Sequence, residues 1–179
     1  MGPIEALYIS IALIFGLIGI VRGYQRELGN TIVIMYVIAA MGFLDDRVLN
    51  NLFNQVGGSI FGVDETLQNQ FLLVIYTAVF VLVVFWTYQG KTFDFGGQPA
   101  KGCLGFVFGL LVGLINGYLV AGTLWYYADK FEYPFPLFSM PLTAAGTAMV
   151  NYLPQTVIQG EPVYWALPAT ALLLLRIWK

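Results

Sequence analysis

The sequence predicts an all-α fold: a polytopic transmembrane helix bundle of four or five spans, with interfacial helices between them. Three observations carry that prediction. The 179 residues are 59% hydrophobic and only 10% charged, against about 45–50% and about 25% in soluble domains. Too few polar groups are present to coat a globule in water. Four stretches are as long as the roughly 17–20 residues with which a helix crosses about 30 Å of hydrocarbon. Glycines recur at steps of three and four in two of these stretches, a pattern that lets helices meet backbone to backbone in lipid.

The elements follow in order. Ile4 to Val21 is apolar apart from Glu5, and with no basic region before it and no small-residue cleavage site after it, it reads as a retained span. Leu28 to Leu44, Phe71 to Tyr88 and Gly102 to Ala128 contain no Asp, Glu, Lys or Arg. Val163 to Trp178 is a marginal fifth segment, short, with Pro168 near its middle and Arg176 near its end. Between the second and third segments, Val48, Leu49, Leu52, Phe53 and Val56 recur at helical spacing. They predict a surface-lying amphipathic helix over Arg47 to Val56, ended by Gly57-Gly58. From Asp129 to Pro162 five prolines interleave with aromatic rings that suit a headgroup boundary. The prolines predict an extended start to this connection, and Leu142 to Leu153 reads as a short helix at or just below the membrane surface. Residues 1–128 thus form a four-helix core and residues 129–179 an outer connection with a fifth segment.

Charge orients this arrangement, because basic residues near span ends stay cytoplasmic. Arg22, Arg26, Lys91, Lys101, Arg176 and Lys179 fall on one side, and Arg47 and Lys130 on the other, if all five segments cross. The expected topology is an outside N-terminus and a cytoplasmic C-terminus. Should the last segment not cross, the split becomes four against four.

Several function classes are excluded by what the chain lacks. Eight basic residues and a net charge of -2 make no field for a phosphate backbone, so nucleic acid is not an expected partner. There is no histidine, hence no Ser-His or Cys-His pair, and Ser10, Ser59 and Ser139 sit in no nucleophile motif. No cofactor or phosphate fingerprint occurs, and Asp45, Asp46, Asp64 and Glu65 match no calcium loop. The reading is of a non-enzyme without cofactor or metal. A lone cysteine, Cys103, allows no internal disulfide.

Candidate functional residues lie in two places. Gly105, Gly109, Gly113 and Gly117 continue from Gly102 along one face of the fourth segment. Gly16, Gly19 and Gly23 do the same in the first. Both read as helix-packing seams, with a pore or sliding surface as the alternative. Asn116, the one strongly polar side chain deep in the fourth segment, reads as an interhelical hydrogen-bond former. Arg22, Arg26 and Glu27 read as an interfacial anchor or docking site where the first helix leaves the membrane. With no charged side chain expected in mid-membrane, an ion pump is disfavoured.

The run from Gly16 to Glu27, a glycine-spaced helix ending in Arg22-Gly23-Tyr24 with Glu27 close behind, resembles the first-helix signature of the colicin V production (CvpA-like) family of bacterial inner-membrane proteins. The spacing of Gly105, Gly109, Gly113 and Gly117 resembles that family's glycine-rich later helix, although the family usually carries Arg where this chain has Asn116. The resemblance covers roughly residues 4 to 128. It implies a bacterial inner-membrane protein tied to toxin production or envelope maintenance. The glycine ridges and the absence of catalytic side chains make the expected role packing, within membrane lipid, against other integral membrane proteins or, by self-association, further copies of the chain. Two alternatives stay open at this point: an accessory subunit of a respiratory or photosynthetic membrane complex, and a small channel or transporter.

Overall fold

The computed structural model describes residues 2–45, 64–90, 102–138, 140–158 and 163–178. Those residues form seven helices: α1 (Ile4–Arg22), α2 (Tyr24–Leu44), α3 (Glu65–Gln89), α4 (Cys103–Lys130), α5 (Ala144–Val150), α6 (Pro154–Val157) and α7 (Val163–Ile177). The first four are long and apolar enough to cross a membrane. The fold is all-α, with one isolated backbone bridge, Gly2 to Phe138, among the described residues.

Helix ends show why the boundaries fall where they do. Gly23 alone separates α1 from α2. At φ 84° it occupies a conformation closed to most side chains and hands its N–H to the Gly19 carbonyl. Because the chain reverses in one residue, α2 starts at Tyr24 and not at Leu28, which draws Glu27 into its first turn. α3 starts at Glu65, ahead of the expected Phe71, because the Asp64 carboxylate accepts the backbone N–H groups of Thr66 and Leu67 at 3.1 and 3.2 Å.

α4 is the axis of the bundle. α1 and α3 run antiparallel to it and α2 parallel, as contacts of Gly19 with Gly109, Tyr76 with Tyr127, and Thr31 with Asn116 require. The main core collects Ile34, Ile38, Phe80, Leu119 and Tyr127 around this axis. A second, smaller cluster of Ile4, Trp125, Ala128 and Leu153 closes the end opposite the Gly23 turn, here termed the loop end.

The proline-aromatic connection departs from the expected extended start. After α4, the Glu132 N–H donates to Asp129 O at 3.0 Å and the Tyr133 N–H to Ala128 O at 2.8 Å. These paired bonds, with φ 59° at Glu132, close the helix as a Schellman motif. Tyr133 also has a positive φ, 49°, and is held by its hydroxyl, which receives the Trp125 indole N–H and donates to Asp129, both at 2.9 Å. Of the expected Leu142 to Leu153 helix only Ala144–Val150 is helical, as α5, and Leu153 caps the separate α6, which Pro154 opens as a first-turn proline.

The fifth segment is helical and packs on α2, with Trp165 and Ala169 buried and the Tyr36 and Thr170 hydroxyls 2.8 Å apart. Its 15 residues reach about 22 Å, short of the roughly 30 Å of a hydrocarbon core. The expected surface helix over Arg47 to Val56, the Gly57-Gly58 stop and the basic residues Lys91, Lys101 and Lys179 lie outside the described residues.

Candidate functional site

Two features meet in the middle of the bundle. The first is the seam between α1 and α4. A Cβ built on Gly109 would stand 2.6 Å from the Gly19 carbonyl oxygen, and one on Gly117 would stand 2.6 Å from the Ala12 Cα. At Gly113 it would run into the Phe15 carbonyl oxygen and the Cα atoms of Gly16 and Gly19, the latter two at 3.0 Å. At Gly19 it would strike the Gly109 carbonyl. Gly16 differs, because its Cβ would meet only the side-chain ends of Leu114 and Leu110. The structure thus brings Gly16, Gly19, Gly109, Gly113 and Gly117 together. Gly23 forms the turn, and Gly105 is half-buried near the start of α4.

The second feature is a polar cluster in which four helices each place a group on one carboxylate. Glu27 of α2 has no solvent exposure. Its Oε2 accepts the Tyr88 hydroxyl of α3 at 2.7 Å and Asn116 Nδ2 of α4 at 2.8 Å. Its Oε1 lies 3.4 Å from Asn30 Nδ2 and 3.5 Å from Arg22 Nη1 at the end of α1. Every one of these neighbours offers a donor to the carboxylate oxygens. Asn116 also reaches the Glu27 carbonyl oxygen at 3.0 Å, and its Oδ1 lies 2.7 Å from the Thr31 hydroxyl. The Arg22 guanidinium sits 4.7 Å over the Tyr88 ring.

Glu27 was expected at the membrane interface beside Arg22 and Arg26. Arg26 is exposed and Arg22 half-buried, but Glu27 is enclosed level with Asn116, midway along α4. The physical reason is the one-residue turn at Gly23, which leaves no exposed loop for Glu27 to occupy. The same turn brings Glu27, ahead of the expected Leu28 start, into a helix long and apolar enough to span. Thr31 and Tyr88 were not singled out from the sequence. Glu27, Asn30 and Thr31 at i, i+3 and i+4 share one helix face, and that spacing was the available signal; nothing local marks Tyr88.

No family model, curated protein or solved structure matches the chain.

What the cluster can do follows from its geometry. A second cluster at the loop end repeats its plan: an acid at the C-terminal cap of α2, a nitrogen from α4 and a tyrosine from α3. There Asp45 accepts the Tyr76 hydroxyl at 2.5 Å and pairs with Lys130. Two such clasps, spaced along α4, fix the register of α2 and α3 against it. A shift of either helix by one turn, about 5.4 Å, would strand a buried carboxylate without its donors. A third contact ties α5 to α1, where Glu5 accepts the Thr143 hydroxyl and would collide with any Cβ on Gly146. Beyond the spans, burial holds the Tyr133 hydroxyl above the ordinary tyrosine pKa. No group of three or more metal-ligating side chains occurs among the described residues.

Proposed function

We propose that this chain is a non-catalytic, multi-pass membrane protein of the CvpA-like type that acts by packing against other integral membrane proteins. The observation that carries the proposal is the division between its two surfaces. Buried acids are engaged by donors inside the bundle, whereas α3, 25 residues long, buries only Tyr76, Phe80 and Val84. Its outer side shows Leu82, Phe85 and Trp86, the last 79% exposed. Such a helix, held to the bundle along one narrow apolar face and by two tyrosine hydroxyls, leaves most of its girth for neighbours. A bacterial inner-membrane location, an outside N-terminus and a role in envelope maintenance or secretion belong to the same proposal.

Purification of the tagged chain from native membranes in mild detergent tests it. The expected result is co-elution with another integral membrane protein, or with further copies of the chain, at a constant ratio. Constant association with cofactor-bearing subunits would make the chain an accessory subunit of a bioenergetic complex. Elution as a lone chain, under conditions that keep other membrane assemblies intact, would contradict the packing role.

A further inference from the structure

We infer that the slot between α1 and α3 is a binding site for one acyl tail of a membrane phospholipid, in the leaflet at the loop end. The inference rests on the chain lying in a bilayer and goes beyond the packing role of the outer α3 face. α1 and α3 both lie against α4, and in the loop half of the bundle they leave between them a cavity of about 500 Å³. Leu7 and Ile11 form one wall, Val74 and Val81 the other, and Leu124 and Trp125 the floor. The lining is apolar apart from the hydroxyls of Tyr8 and Thr77 and the Trp125 indole N–H, which is committed to Tyr133.

The shape selects the occupant. Towards the Gly23 turn the slot is shut, because Phe15 of α1 meets Tyr88 of α3 edge to face at 5.3 Å and Arg22 lies over the same ring. At the loop end Phe135, Leu137 and Phe138 roof it. That roof is tied to both walls, by Gln70 donating to Pro134 O at 3.1 Å and by the bridge from Phe138 to Gly2. From Ala121 to Ala128 the floor is about 10 Å long, and the α3 wall about 12 Å, less than the roughly 15 Å of one leaflet's share of the hydrocarbon. A spanning helix needs a seat along the whole thickness. A volume of about 500 Å³ over that length leaves a cross-section on the order of 40 Å², about half that of a helix 10 Å across. An open-sided, apolar slot confined to one leaflet and too narrow for a helix suits a hydrocarbon chain.

Trp125, 2% exposed, provides the probe. With Trp86, Trp165 and Trp178 replaced by Phe, Trp125 is the only tryptophan left. The protein is reconstituted into phosphatidylcholine vesicles with or without bromine atoms on the tails. A tail in the slot brings bromine against the indole, so Trp125 should lose most of its emission in the brominated vesicles. Ala78→Phe, at an exposed position lining the slot, should restore that emission while helical circular dichroism stays unchanged. Equal emission in both vesicles would overturn the site, whether the slot stood empty or held protein. Quenching that survives Ala78→Phe would do the same. Because the triple replacement can disturb folding, native mass spectrometry of the otherwise unaltered chain gives an independent reading. One retained phospholipid, lost in Ala78→Phe, is expected. Absence of retained lipid, or equal retention by both proteins, would count against the site.

Discussion

Replacing Asn116 with Leu would take one donor from the Glu27 carboxylate and one acceptor from Thr31 at a fully buried place. A buried polar group left without its partner costs about 1–3 kcal/mol, so a clear fall in the thermal midpoint in detergent is expected. Tyr88→Phe should be milder, about 0.6 kcal/mol, because Asn116 still covers the same carboxylate oxygen. Asn116→Asp should be worst of the three, since it sets a second acid against Glu27. Identical midpoints for all three would show that the carboxylate is not held by this cluster. Tyr133 gives a pH-dependent expectation. Its folded pKa is raised by burial, so its contribution to stability is complete below the ordinary tyrosine pKa of about 10 and is lost as pH rises beyond it. Alkaline destabilisation should therefore be weaker in Tyr133→Phe than in the parent, and parallel pH profiles would refute this.

At the scale of elements, the α1–α4 seam is the sharpest case. Gly113→Leu forces a branched side chain into the backbone of α1 and should cost at least the about 1–3 kcal/mol of ordinary overpacking. Ala should be well tolerated at Gly16, whose nearest neighbours are the side chains of Leu110 and Leu114. At Gly109, Gly113 and Gly117 even a methyl group meets backbone, so Ala should also loosen the seam. Leu111→Phe, at a half-exposed position, is the control, and equal thermal stability of Gly113→Ala and Leu111→Phe would contradict the seam. The first four helices and the glycine spacing were legible because composition and period act locally. Polar partnership was not. Glu27 lies 89 positions from Asn116, and the tight turn at Gly23 that brings it into α2 leaves no mark of that partner in the local sequence. The Asp64 cap and the break before Pro154 were readable in principle, whereas the left-handed turn at Glu132 and Tyr133 uses residues that carry no glycine signal for it.

The whole molecule is an α4-centred bundle with engaged acids inside and apolar flanks outside. Cys103 is exposed at the first residue of α4, so an impermeant thiol reagent reports which side that end faces. Labelling of inverted vesicles and sparing of intact spheroplasts is expected from the proposed outside N-terminus; the opposite pattern would reverse the topology. The most direct measurement of the packing role is photo-cross-linking in native membranes, with a photoreactive residue placed singly at Leu82, Phe85 and Trp86 on the outer side of α3. A discrete protein adduct of reproducible mass at these positions is the predicted result, and lipid adducts alone at all three would contradict the account.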